Sequence, residues 1–219
     1  MTTPFANRTQ AGQALAGPVC ALGLADPVVL ALPRGGVPVA LEVARALNAP
    51  LDVLLVRKIG APGQPELAVA AIVDGVRPEI VVHEAMQHLA GVNRAYIEHE
   101  AQRELVEIRR RRRVYLQGRT PIDVAGRDVI VVDDGIATGT TMRAALQALR
   151  RRQPAQLVLA VPVAPPNTLR ALRREVDQLV CLQAPEDFEA VGLHYEDFHQ
   201  LEDSEVLALL AGEAARPRQ

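Results

Sequence analysis

A chain of 219 residues, 49% of them hydrophobic, has the length for one α/β domain with a sizeable core and some appendages, and is too short for a second full domain. Its net charge of -2 gives no general affinity for nucleic acid or an anionic membrane surface. The start, Met1-Thr2-Thr3-Pro4-Phe5-Ala6-Asn7-Arg8, lacks an apolar run behind a basic end and no stretch reaches membrane-spanning length, so a soluble cytoplasmic protein is expected. Cys20 and Cys181 have no paired spacing and are expected to be buried thiols, outside any zinc site or disulfide framework.

Residues 6–16 predict a first helix, with Ala11, Leu15 and Ala14 facing inward and Arg8 in solvent. Pro27 to Leu32 is a continuous apolar run bounded by prolines, the pattern of a buried strand. It ends in Pro33-Arg34-Gly35-Gly36, and Pro38 sits in the first turn of a helix whose apolar stripe is Val37, Ala40, Leu41, Ala44 and Leu47. A guanidinium and two glycines between strand and helix suit an anion. Taken alone, the same triplet is also an ordinary glycine turn.

Leu51 to Val56 predicts a third strand, running into Arg57-Lys58. Lys58 is the only lysine among 24 basic residues. Where arginine serves every other cationic position, one compact, flexible ammonium with a tunable pKa has been kept, by function or by chance. The next residues, Ile59 to Glu66, hold two glycines and two prolines and predict an irregular, mobile lid with Glu66 as a solvated carboxylate at its far end. Leu67–Val73 and Glu79–His83 read as short strands joined through Asp74-Gly75. A long polar helix follows from Val92 to Leu116, with Ile97, Ala101, Leu105 and Ile108 on one stripe. Its Arg109–Arg113 run reads as a solvated face favoured by the helix dipole, since no aromatic residues are interleaved for nucleic acid.

The most informative stretch comes next. Val129-Ile130-Val131-Val132 predicts a strand buried on both faces, and Met142, Ala145, Leu146 and Leu149 fall at helical spacing. Between them lies Asp133-Asp134-Gly135-Ile136-Ala137-Thr138-Gly139-Thr140-Thr141. Small residues admit a ligand to the backbone, a helix N-terminus offers unpaired N–H groups, and threonine hydroxyls add donors, which together make an anion cradle. Two carboxylates cannot serve that same anion, so they face hydroxyls or a metal beside it, as a phosphorylated polyol requires. Helix capping alone would need only one such residue.

Gln156–Val163 predicts a further strand, Pro166–Val176 a helix and Asp177–Leu182 the last core strand. Three of the six aromatic residues, Phe188, Tyr195 and Phe198, then crowd into eleven positions before a C-terminal helix at Glu202–Leu210. They are either a stacking platform for a planar ligand or a cluster packing that helix.

A hydrophobic strand, an acidic pair and A-T-G-x-T opening a helix resemble the loop that binds phosphoribosyl diphosphate (PRPP) in the type I phosphoribosyltransferases. The likeness is greatest to the adenine-type pattern and to bacterial members of unassigned substrate. It implies a doubly wound parallel α/β sheet in a single domain, with a core over about 18–183, a helical insertion at about 84–118, and a hood with its C-terminal helix at about 184–212. By the same resemblance Asp133 and Asp134 hold the ribose hydroxyls, and Gly135, Ile136, Ala137, Thr138, Gly139, Thr140 and Thr141 wrap the 5-phosphate. Arg34, Gly35, Gly36, Arg57 and Lys58 meet the pyrophosphate, Arg34 to Gly36 through an unusual peptide geometry, and Glu66 stands where adenine-type members carry a loop carboxylate. Phe188 stacks on the base, with backbone around Val191 and Asp197 reading its edges, because P-x-x-F followed by V-G is similar to the hypoxanthine–guanine hood. Ala137, however, occupies the place of the aspartate that handles the base in that subgroup. The implied reaction is Mg²⁺-dependent displacement of pyrophosphate from PRPP by a nitrogenous base, a purine above all, in a homodimer, with the metal held by PRPP and no dedicated protein site. A non-catalytic PRPP-binding regulator and a sugar-phosphate hydrolase are the other two classes. No helix-turn-helix signal supports the first and no spare water-activating constellation the second.

Overall fold

The computed structural model describes residues 3–117 and 119–214. In chain order the elements are α1 (Arg8–Cys20), β1 (Pro27–Ala31), α2 (Gly36–Leu47), β2 (Leu51–Val53), β3 (Val56–Ala61), β4 (Gln64–Val73), β5 (Glu79–Val82), α3 (Glu84–Leu89) and α4 (Arg94–Leu116). They continue with β6 (Asp128–Val132), α5 (Thr140–Arg151), β7 (Gln156–Val163), α6 (Pro166–Leu172), β8 (Gln178–Gln183) and α7 (Asp203–Ala214).

Five strands form a parallel sheet in the order β2-β1-β6-β7-β8. The branched runs that predicted buried strands alternate across it. Val29, Ala31, Ile130 and Val132 pack with α1, α2 and α4, while Val28, Leu30, Val129 and Val131 pack with Met142, Leu146 and Leu149 of α5. Coverage on both faces is why the runs are continuously apolar. Each fully buried leucine, such as Leu146 or Leu149, contributes about 1.5–3 kcal/mol relative to exposure. From β1 the chain steps outward to β2, then returns on the other side through β6, β7 and β8. The order therefore reverses between β1 and β6, the place where open α/β sheets bind ligands.

A second, antiparallel sheet, β3-β4-β5, covers the space beside α5. Ala70 and Ile72 join Ile97, Ala101 and Leu105 of α4 on one face, and Ala71, Val73 and Val81 join the α5 cluster on the other. The expected irregular lid at Ile59–Glu66 is not irregular. It is a hairpin, with β3 extending to Ala61, a two-residue turn at Pro62-Gly63 and β4 starting at Gln64. Buried Ile59 and Ala61 tie the strand to the core, and a bulge between Ile59 and Ala61 absorbs the remaining irregular residues.

Other boundaries also move. The first helix starts at Arg8 and continues to Cys20, carrying Val19 into the core one turn beyond Leu15; Ala16 is buried and Ala14 exposed. Residues 51–56 are two strands, β2 and the start of β3 in the other sheet, because the chain changes sheets at Leu54-Leu55. The helix after β7 ends at Leu172, where the Glu175 N–H donates to the Leu172 carbonyl and turns Val176 into the core. Cys20 is exposed on the last turn of α1, and Cys181 is half-buried on edge strand β8, its Sγ donating to the Gln183 carbonyl at 3.1 Å. Burial pushes that thiol up to about 11.

The arginine run is only partly solvated. Arg112 is half-buried in an ion-pair network with the buried Asp52 of β2, at 3.0 Å, and the buried Asp74 after β4, joining the two sheets through α4. Position 112 lies four residues beyond Ile108 and so continues the buried stripe of the helix. The hood is a 3₁₀ turn at Val191–His194 bridged to the chain's beginning, with the Phe5 N–H donating to the His194 carbonyl at 2.9 Å and the Glu196 N–H to the Phe5 carbonyl at 2.8 Å. Among the described residues no helix is long and apolar enough to cross a membrane.

Candidate functional site

Where β6 ends, Asp133-Asp134 begins a loop pinned at several points. The Ile136 N–H donates to the Val163 carbonyl at 3.0 Å, its side chain is buried, and the buried Thr168 of α6 donates its hydroxyl to the Ala137 carbonyl at 2.7 Å. Gly139 caps α5 with φ +74°, and a β-carbon there would meet the Thr168 methyl at 2.8 Å, so this turn requires glycine. Ala137, Thr138 and Thr140 are left exposed around the first turn of α5, with the two threonine hydroxyls 3.5 Å apart. Rigid attachment below and open donors above make a preformed cradle for an anion.

The second turn, Pro33-Arg34-Gly35-Gly36, leaves β1 immediately beside it. Its Pro33–Arg34 peptide is cis, the kind of geometry the resemblance implied. Gly35 backs onto Asp134 and Gly36 onto Asp133, where a β-carbon on Gly36 would lie 2.9 Å from the Asp133 Cα. The Arg34 side chain is held 3.9 Å from Asp203 at the start of α7, which also accepts the Tyr115 hydroxyl at 2.6 Å.

The two carboxylates have different surroundings. Asp133 lines a 160 Å³ cavity together with Pro33, Arg57, Arg111 and Thr141. Burial, reinforced by the adjacent Asp134, holds its carboxyl well above the usual range. Asp134 is turned away into the protein, 9% exposed, and receives the Arg8 Nε at 2.7 Å. Burial raises this carboxyl as well, against the pull of Arg8. Arg8, expected in solvent, is 8% exposed, stacks over Phe198 at 3.9 Å and donates to the His199 carbonyl at 3.0 Å. The Tyr195 hydroxyl donates to the Asp134 carbonyl at 2.5 Å. Thus α1 and the hood together clamp the second half of the acidic pair.

Arg111 was missed by reading the arginine run as solvent-facing. It lies three residues beyond Ile108, which lines the same cavity, so the stripe periodicity could have found it. Glu107 orients Arg111 at 2.8 Å, and Glu104 orients Arg57 at 2.6 Å. Arg110 first and Arg111 second hold the Glu107 carboxyl down at about 2. Helix α4 therefore delivers Arg111 to the cavity and, through Glu104, fixes Arg57.

Lys58 stands outside that cavity, on the sheet face shared by its cross-strand row Ala71 and Val81, with Glu66 4.0 Å away across the hairpin and itself exposed. Phe188 is half-buried and stacked on His194, centroids 5.4 Å apart and 12° between planes, and it packs with the cluster of Phe5 and Tyr195. Val191 rests on Gly135, 2.5 Å from where a β-carbon would be, which seats the hood on the acidic loop. The Asp197 N–H is engaged by the Ala6 carbonyl at 3.0 Å and its Oδ1 by the His199 ring at 3.0 Å. Among the described residues no group of three or more His, Cys, Asp or Glu gathers as a metal cage.

Residues 10–197 match the family model described as a phosphoribosyl transferase domain. Two Mycobacterium tuberculosis proteins, of strains CDC 1551 and H37Rv and provisionally named phosphoribosyl transferases, are each 44% identical over 94% of this chain and 46% of their own length. The chain thus spans about half the length of the curated relatives it matches. The crystal structure of TT1426 from Thermus thermophilus is 44% identical, with a TM-score of 0.85 over 96% of this chain and 99% of that one.

Proposed function

This chain belongs to the phosphoribosyl transferase family, and from that premise we propose that it transfers the 5-phosphoribosyl group of PRPP to a nitrogenous base, a purine first among them, releasing pyrophosphate. The observation that carries the reading is the pair of back-to-back turns at the β1/β6 reversal, one acidic and hydroxyl-rich, the other with an arginine and two glycines.

In this reading the cradle at Ala137–Thr141 seats the 5-phosphate, and Asp133 faces the ribose. As the bond to pyrophosphate stretches, positive charge grows on the ribose and negative charge on the leaving group. Asp133 stabilises the first, and Arg34, Arg57 and Arg111, joined by Lys58 from the hairpin, stabilise the second. Asp134, clamped by Arg8, sets the position of its neighbour. A half-buried carboxylate beside Thr141 suits Mg²⁺ brought in by PRPP, since that ion is usually bound through one or two carboxylates plus substrate phosphates. When bound, the ion neutralises diphosphate charge and makes pyrophosphate a better leaving group. Phe188 and Val191 bound the side where the base would lie.

The test is pyrophosphate release by purified protein given PRPP, Mg²⁺ and a panel of purines, pyrimidines and small amines. Release with at least one acceptor, abolished in Asp133→Asn, is expected. No release with any acceptor, together with no PRPP-induced rise in melting temperature, would overturn the reading.

A further inference from the structure

We propose that the cavity adjoining the phosphate cradle binds the onward half of a ribose 5-diphosphate ester, a ligand whose 5-phosphate continues into a second phosphate and a nucleoside. This rests on the assignment of the cradle to a ribose 5-phosphate. The cavity measures 360 Å³ and shares Thr138 and Thr140 with the cradle, so it opens where a 5-phosphate would be held. PRPP ends at that phosphate and has nothing to place there. A volume within the 300–1,000 Å³ range typical of small-molecule pockets is far more than one phosphate fills.

The lining specifies the rest of the ligand. Arg143, one turn into α5, is half-buried on the cavity wall, and among the described residues its guanidinium has neither a hydrogen bond nor an ion pair. By contrast Arg8, Arg57, Arg111, Arg112, Arg150 and Arg152 are all engaged by carboxylates. A guanidinium that cannot lose its charge, partly withdrawn from water beside a phosphate cradle, selects another anion. Beyond it Ala71 and Val81 give a smooth apolar wall on the sheet face that also carries Lys58. His83 and Glu84 also line the cavity. The His83 Nδ1 accepts the Met86 N–H at 3.3 Å, so in the neutral ring Nε2 carries the proton. A ring N–H donor and a carboxylate suit nucleoside hydroxyls, and the guanidinium of Arg143 suits the diphosphate. No bond is made or broken in this proposal, which concerns binding alone.

The test is calorimetric titration of the protein with ribose 5-phosphate and with ADP-ribose, in the wild type, Arg143→Gln and Ala85→Trp. Ala85 is an exposed residue on the cavity rim, so a tryptophan there blocks the space without entering the core. Thermal melting checks that each variant folds. ADP-ribose is expected to bind the wild type about tenfold or more tightly than ribose 5-phosphate, and both variants to reduce that ratio towards one. If ribose 5-phosphate binds and ADP-ribose binds no more tightly, the inference falls and the family reading stands. A preference that survives both variants places the second half elsewhere and also overturns it. If neither ligand binds and PRPP does not bind either, the assignment of the cradle itself is wrong.

Discussion

Gly35 lies so close against Asp134 that a β-carbon at position 35 would overlap the Asp134 Oδ2. The carboxylate cannot retreat, because Arg8 holds its side chain and Tyr195 its backbone. Gly35→Ala must therefore displace one of the two turns. It is expected to cost about 1–3 kcal/mol in urea or thermal unfolding and to abolish PRPP binding. A variant with unchanged stability and affinity would show that the turns are not packed against one another.

Arg8 and Asp134 form a buried charge pair, and removing one partner leaves the other without a counter-ion. Arg8→Ala is expected to destabilise by about 3–5 kcal/mol, and Arg8→Lys to recover only part of this, since an ammonium cannot reproduce the planar contacts to Asp134, His199 and Phe198 together. Combining Arg8→Ala with Asp134→Asn in a double-mutant cycle separates the pair's coupling from lost packing. Strictly additive losses would mean that the two side chains act independently.

The pH response follows from Asp133. Its native carboxyl is raised above 3.8 by burial and by Asp134, so the native state holds more protons than the unfolded chain in this window. Stability then falls as pH rises from 3.8 through the raised native value, and the full cost is present above it. Asp133→Asn removes that cost, while the amide oxygen can still accept the Asp134 N–H. The variant should melt higher than the wild type at neutral pH and lose its advantage as the solution is acidified toward the unfolded carboxylate range. An Asp133→Asn protein less stable than the wild type at neutral pH would contradict the desolvated carboxylate.

Arg111 and Lys58 separate two roles. Arg111 lines the cavity beside Asp133 and is preoriented by Glu107, so Arg111→Ala should weaken both PRPP affinity and turnover. Lys58 stands outside that cavity on the hairpin. If it engages only as charge develops on pyrophosphate, Lys58→Ala should lower kcat by about ten- to a thousandfold with little change in PRPP affinity. Binding by calorimetry and steady-state rates decide between them. Equal kcat in Lys58→Ala and wild type would reduce Lys58 to a surface cation.

The parallel sheet and the two turns at its reversal were legible because their signals are local. Val129–Val132 and Val28–Leu32 are buried, and the turns that follow carry more charged, hydroxylated and glycine residues than helix capping needs. What escaped depends on distant packing. Nothing in Asn7-Arg8-Thr9 announces that the guanidinium will meet a carboxylate 126 positions away. Arg111 and Arg112 were hidden by their neighbours, since a run of five arginines suggests solvent although helical phase places two of them inward. The hairpin at Ile59–Glu66 was misread because glycine and proline mark both disordered loops and tight turns. Phase along the chain, set by Ile59 and Ala61, was the better guide.

The neighbour relation of β1 and β6 has a consequence for the order of events on the ribosome. Asp26, just before β1, pairs with Arg127, just before β6, at 2.6 Å, and these residues are 101 positions apart. When β1 and α2 are made, β2 can pair with one side of β1 soon afterwards, but its other side waits for β6. At synthesis rates of about 5–20 residues per second that wait lasts roughly 5–20 s, with a strand edge of Val28, Val29 and Leu30 unpaired in the meantime. The intervening hairpin and α4 can form locally during this interval. Closure of the parallel sheet, and with it the first meeting of Gly35 with Asp134, is therefore a late step in which the candidate site and the core are completed together.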